Sequence, residues 1–334
     1  MRILFFILFS FLLSQTAFSQ PKSLVQWMDF EEALAKHEQQ PKVLLIDMYT
    51  DWCGWCKVLD TTTFANPGIA NYINSNFYPV KFNAEGFDTV TYRSKVYTNQ
   101  GSGRRPTHDL AKELLKGRLS YPSIVYIDDA WNVYPVAGYL KPEQIEPILA
   151  YFVEKANKSV PYDDFNASFE KVIRGNPPMK DLVKWMEFPE AIRQNSLAPK
   201  KVLVNVYSSL GYSSRMMMQD IFTDPVLAAY INENYYPVRV EAERTDTIVV
   251  NQQVFINEQK VKNYPHQLAI ALLNGQVQYP SLVFINEQGQ VVNKISGFLK
   301  KADVEPLLHF FAKDAYQTQK WEEFRPNFKS QLTE

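Results

Sequence analysis

The feature that most limits what this chain can fold into is a long internal repeat. Leu24-Val25-Gln26-Trp27-Met28 returns as Leu182-Val183-Lys184-Trp185-Met186, an offset of 158 residues. The same offset carries Pro41 to Pro199, Tyr49 to Tyr207, Tyr72-Ile73-Asn74 to Tyr230-Ile231-Asn232, and Tyr78-Pro79-Val80 to Tyr236-Pro237-Val238. It also carries His108 to His266 and Tyr121-Pro122-Ser123 to Tyr279-Pro280-Ser281; one extra residue then moves Gly138 to Gly297. A register kept this long marks a duplicated domain, and 334 residues are enough for two.

Each copy reads as strands interleaved with helices. In the first, residues 29–39 read as a helix, with Asp29 and Glu32 at capping-box spacing. Residues 43–49 are apolar on both faces apart from Asp47, the pattern of a central strand. A helix runs from the cysteines to Phe64, and Pro67 opens another that ends near Phe77. Residues 78–82 form a strand, and 107–116 a helix closed by Gly117. Residues 123–128 and 132–137 make a hairpin, and 142–157 a final helix. The expected class is α/β, with a mixed central sheet covered by helices in each copy. Tyr162-Asp163-Asp164-Phe165 with Phe169 is echoed by Trp321-Glu322-Glu323-Phe324 with Phe328, so each copy should carry an extra C-terminal helix. Gly175-Asn176-Pro177-Pro178 breaks helix and marks the join.

Both cysteines of the chain, Cys53 and Cys56, stand where the strand over 43–49 gives way to a helix. A Cys-x-x-Cys at a strand-to-helix turn points to redox chemistry, because the spacing brings two sulfurs within disulfide reach over one turn. The first sulfur then meets unpaired N–H groups and the positive end of the helix dipole. Such a setting lowers a thiol pKa from about 8.5 to roughly 3.5–7.5 and makes a usable nucleophile. Two cysteines are half of a tetrahedral zinc site, and no second pair or nearby histidine completes it, so neither metal nor other cofactor is expected.

The run Asp47-Met48-Tyr49-Thr50-Asp51-Trp52-Cys53-Gly54-Trp55-Cys56-Lys57 resembles the active-site strand and turn of the thioredoxin superfamily. Tyr121-Pro122-Ser123 is similar to that family's cis-proline loop, and Gly138 with Lys141-Pro142-Glu143-Gln144 to its last strand-to-helix turn. Gly54-Trp55 departs from thioredoxin's Gly-Pro. The match is closer to secreted thioredoxin-like proteins related to the C-terminal domain of the periplasmic disulfide-reductant conductor. The resemblance implies two tandem thioredoxin-like domains, with residues 83–105 as an insertion. It implies Cys53 as the attacking thiolate, Cys56 as the resolving one, and Asp47 as proton acceptor or relay for Cys56. Trp52, Gly54, Trp55, Tyr121 and Pro122 would bind substrate, an extended segment pairing beside Cys53.

In the second copy Gly211 and Ser214 take the places of the cysteines and Asn205 that of Asp47, so disulfide exchange there is chemically impossible. Tyr279-Pro280 persists as a candidate docking groove. Met216-Met217-Met218 reads as an adaptable apolar surface or as core. His108, which recurs in the copy without cysteines, reads as a cap or core hydrogen bond. Lys57 reads as a solvated lysine or a support for the thiolate. Arg104-Arg105, without a counterpart, reads as a solvated loop or a guide for an acidic partner.

Arg2, the apolar run from Ile3 to Leu13 and Ala17-Phe18-Ser19 read as a secretory signal over 1–19, cleaved near Ser19-Gln20. The domains expected after it are a catalytic one over 20–158, an extra helix and linker over 159–180, a cysteine-free domain over 181–316 and a C-terminal helix over 317–334. A net charge of −1 gives no sign of nucleic acid as partner, and no stable membrane insertion of the mature chain is expected. The reading is a periplasmic thiol–disulfide oxidoreductase, reductase or isomerase in direction. Its partners would be secreted disulfide-containing proteins and a membrane or soluble electron donor. Its second domain would bind substrate or partner. Two readings stay beside it: a scaffold with a static buried disulfide, and a tandem peptide-binding adaptor acting through both proline loops.

Overall fold

The computed structural model describes residues 22–261 and 264–332; the expected signal sequence lies outside the described residues. The chain divides into two compact units, one ending at Pro142 and one starting at Glu143. The last helix and the extra helix of the first repeat therefore lie in the second unit.

The first unit contains α1 (Phe30–Gln39), β1 (Leu44–Tyr49), α2 (Gly54–Thr62), α3 (Pro67–Asn76), β2 (Tyr78–Asn83), β3 (Val90–Tyr92), β4 (Lys95–Tyr97), α4 (Asp109–Leu114), β5 (Ser123–Ile127) and β6 (Val133–Ala137). Its four-stranded sheet has the order β2-β1-β5-β6. β1 runs parallel to β2 and antiparallel to β5, and β5 pairs antiparallel with β6. Side chains alternate along a strand. Leu44, Ile46 and Met48 enter one core with Phe30, Leu110, Leu114, Val125 and Ile127, so α1 and α4 cover that face. Leu45, Asp47 and Tyr49 point to the opposite face. The segment read as an insertion holds the short β3–β4 hairpin, whose Val90, Tyr92 and Tyr97 add to the core. The expected capping box is not formed: Asp29 precedes α1 without a side-chain cap bond, and the Glu32 carboxylate, which would complete the box, is paired instead with Lys36 at 2.6 Å.

The second unit takes in α5 (Pro142–Val153) from its second residue onward, and then α6 (Tyr162–Ser168), the latter continued by a π-helical turn over Phe169–Arg174. The fold then repeats as α7 (Phe188–Leu197), β7 (Lys201–Tyr207), α8 (Tyr212–Asp220), α9 (Pro225–Asn234), β8 (Tyr235–Glu241), β9 (Ile248–Val250), β10 (Gln253–Phe255), α10 (Gln267–Leu272), β11 (Ser281–Ile285), β12 (Val291–Ser296), α11 (Lys301–Ala312) and α12 (Trp321–Phe324). Its sheet order, β12-β11-β7-β8, reproduces the first with the same strand directions. The extra residue that breaks the sequence offset is absorbed at a bulge: Ile285 faces Val291 while Phe284 faces Asn293. The recurring Asn74 and Asn232 also have a job. Asn74 accepts from the Gln26 N–H and donates to the Leu24 carbonyl, and Asn232 does the same for Lys184 and Leu182. No helix among the described residues is long and apolar enough to cross a membrane.

Candidate active site

Cys53 and Cys56 form a disulfide, their Cα atoms 5.3 Å apart. Cys53 is the N-cap of α2, and its sulfur accepts from the Cys56 N–H at 3.1 Å. The donor that steadies the sulfur here would steady a thiolate more strongly, since hydrogen bonds to ionised groups are the stronger kind. Both sulfur residues are buried, Cys53 at 4% exposure and Cys56 at 3%. Trp52 and Trp55, on either side, are exposed at 49% and 61%. Gly54 has open space where a Cβ would stand.

Asp47 is fully buried on the sheet face turned away from the α1–α4 core. The register places it beside Lys81 of β2, whose Nζ lies 3.2 Å from its carboxylate. Lys81 also pairs with Asp60 of α2. Asp60 stands four residues after Cys56, hence on the same side of the helix. The chain of charges Asp47–Lys81–Asp60 therefore runs from the strand to the helix that carries Cys56. Burial pushes the Asp47 carboxyl up to about 6; Lys81 pulls it down and Asp60 pushes it up, both by less. The same contacts raise Lys81 above its ordinary value against the effect of burial. Sequence reasoning missed Lys81 and Asp60, which nothing local distinguishes from other polar residues; strand register brings Lys81 to Asp47, and Lys81 brings in Asp60.

Tyr121–Pro122 is a cis peptide, as is Tyr279–Pro280. Met48 faces Ser123 across β1 and β5, so the loop before Ser123 borders the strand end that leads to Cys53. The Tyr121 ring meets Trp52 edge to face, with centroids 6.2 Å apart. Trp52 is held from two further sides: its indole N–H donates to Glu85 at 2.9 Å, and the Arg105 guanidinium lies 4.1 Å above its ring. Arg105 is thus a neighbour of the site, which its loop composition did not reveal. Trp55 leans on Tyr139, with centroids 5.5 Å apart. Lys57 is exposed. His108 is a cap: its Nδ1 accepts from the Leu110 N–H at 3.1 Å and its Nε2 meets the Asp88 carbonyl at 2.9 Å. His266 does the same with Leu268 and Asp246.

The second copy keeps the scaffold and fills the site differently. Asn205 donates to the sulfur of Met218 at 3.0 Å, where the first copy has Asp47 and Asp60. Met216, Met217 and Met218 are buried, so they are core. The Ser214 hydroxyl accepts from the Ser208 N–H. The N-terminus of α8 is occupied by a carboxylate: Glu154, just past α5, accepts from the Tyr212 N–H at 2.7 Å and the Ser213 N–H at 2.6 Å. An anion belongs at a helix N-terminus. Here it is a side chain of this chain, standing 3.8 Å from where a Cβ at Gly211 would be. No sequence signal marked Glu154.

A family described as a protein of unknown function, DUF255 (Thioredox_DsbH), matches residues 10–113, and a thioredoxin-like domain family matches residues 188–312. The thiol:disulfide interchange protein DsbD of Pectobacterium atrosepticum is 28% identical over 127 residues. That match covers 37% of this chain and only 18% of the relative. Among solved structures, a putative disulphide-isomerase from Bacteroides thetaiotaomicron is 24% identical, with 39% of this chain and 93% of that chain covered at a TM-score of 0.28. The DsbD C-terminal domain of Neisseria meningitidis is 17% identical, with coverages of 36% and 92% and a TM-score of 0.26.

Proposed function

Since this chain is a tandem of two thioredoxin-superfamily domains, we propose that the first is a protein thiol–disulfide oxidoreductase and the second is catalytically silent. The observation that carries the reading is Cys53 at the N-cap of α2, bonded to Cys56 and receiving the Cys56 N–H. In the reducing direction the Cys53 thiolate attacks one sulfur of a target disulfide. A mixed disulfide forms and one target thiolate leaves. Cys56, deprotonated, then attacks the Cys53 sulfur and displaces the second target thiolate. The target gains two electrons and two protons; the enzyme is left as the Cys53–Cys56 disulfide.

Asp47 serves as the proton acceptor for Cys56. A carboxyl near 6 is mostly ionised at pH 7 yet basic enough to take a proton. Lys81 and Asp60 are positioning residues that hold it there. Trp52, Trp55, Tyr121 and Pro122 line the approach, and an extended target segment would lie against the Tyr121 backbone. We favour reduction or isomerisation over oxidation, on the likeness to a disulfide interchange protein. An electron donor must then regenerate the dithiol. The expected signal sequence favours work in the periplasm on secreted disulfide-bonded proteins.

The test is reduction of insulin by the pre-reduced full chain. Activity that disappears in Cys53→Ser and in Cys56→Ser supports the reading. A chain whose disulfide resists mild reductant, and whose Cys53→Ser variant loses only thermal stability, is the static scaffold instead.

A further inference from the structure

Within the second unit, the aromatic–acidic segment of the first repeat is bound by the second repeat, and its twin at the C-terminus is bound by nothing equivalent among the described residues. In the first segment Tyr162 and Phe165 pack on Tyr151 with centroids 5.4 and 5.3 Å apart, and Phe165 and Phe169 lie 6.3 Å apart. In the second, Trp321 and Phe324 pack on Phe310 at 5.4 and 5.0 Å, and Phe324 and Phe328 lie 5.8 Å apart. The two clusters are superposable in kind, ring for ring.

They differ on their outer side. Phe165 also meets Phe298 at 5.5 Å, Phe169 meets Tyr212 at 5.1 Å, and Asp164 accepts from Lys300 at 2.9 Å. Phe165 and Phe169 are consequently 0% exposed, whereas Phe324 and Phe328 are only partly covered. The surface that receives the first segment consists of the start of α8 and the turn before α11. By the repeat, that surface in the first copy is the start of α2 with Cys53 and Trp55, and the turn Tyr139-Leu140-Lys141. There Trp55 is 61% exposed and Tyr139 half-buried, although its counterpart Phe298 is 2% exposed.

We propose that the C-terminal segment of one copy of this chain docks on the Cys53 face of a second copy, as the first segment docks on the second repeat. One contact carries over with its chemistry: Phe324 on Tyr139 repeats Phe165 on Phe298. Others do not: Gly54 stands for Tyr212, and Thr62 for Asp220, which accepts from Lys171, so Phe328 must find Trp55 instead. Lys313 holds the place of Glu154, so docking brings no carboxylate to the sulfur of Cys53. The contact is head-to-tail, using different surfaces on the two copies. Covalent linkage gives the first segment an effective concentration on the order of 1 mM; the free segment must associate without it.

Light scattering of the full chain across dilutions up to about 1 mM tests this directly. The expected result is a mass that climbs above that of one chain, and that stays monomeric at every concentration in Phe324→Ala/Phe328→Ala. Trp55, 61% exposed, gives a variant that does not threaten folding: Trp55→Ser should weaken association. A monomer throughout overturns the proposal, as does association that none of these substitutions alters. The inference rests on where the face lies and not on its redox chemistry. Association should survive Cys53→Ser/Cys56→Ser, so either proposal can fail alone.

Discussion

Asp47 is raised to about 6 by burial, with Lys81 only partly offsetting it, against about 3.9 for an unfolded aspartate. Between those values the native state binds more protons than the unfolded state, so this group's contribution falls as pH rises through about 6. Asp47→Asn should then stabilise the first unit at pH 7 by on the order of 3 kcal/mol, about two pKa units at 1.36 kcal/mol each. It should give no gain near pH 3. Urea unfolding at the two pH values checks this, and an equal effect at both would count against it. The same variant should slow release of the mixed disulfide and flatten its decline below pH 6, read by stopped-flow thiol release. Asp47 was legible because it interrupts an apolar strand. Lys81, Asp60, Glu85 and Arg105 were not, since each becomes a neighbour of the site only through strand register or loop path.

At the scale of elements, helix starts carry most of the local chemistry. His108 and His266 each accept from the second N–H of a short helix, and replacing either with Ala should cost about 1 kcal/mol, the usual worth of an N-cap. Glu154→Ala leaves two N–H groups of α8 without their acceptor and should cost roughly 1–3 kcal/mol. Chemical denaturation of each variant measures these losses. The central strands were legible because Val43 to Tyr49 and its twin are continuous apolar runs, broken only by Asp47 and by Lys201 and Asn205. The capping box at Asp29 did not survive, because spacing alone cannot tell whether Glu32 will turn back to the cap or forward to Lys36. The carboxylate on α8 was illegible for a related reason: it comes from a residue past a different helix, far from the site in sequence.

For the whole molecule, the duplication was read from the sequence with its offset, and both sheets reproduce it strand for strand. The proposed silence of the second copy would have more than one cause: its sulfurs are gone, its acid is Asn205, and Glu154 sets a carboxylate on the first two N–H groups of α8, beside the place of the attacking sulfur. Restoring the cysteines as Gly211→Cys/Ser214→Cys in a Cys53→Ser/Cys56→Ser background should therefore not restore insulin reduction. Recovery of full turnover would show that the missing sulfurs were the sole defect.

The division of labour between Cys53 and Cys56 is tested most directly by intact-mass spectrometry of the reduced Cys56→Ala variant mixed with a disulfide-bonded protein. A one-to-one mixed disulfide through Cys53 that persists, and that never accumulates in the wild type, is the predicted outcome. No adduct on Cys53 in a folded, reduced sample, or an adduct that resolves at the wild-type rate without Cys56, would contradict it.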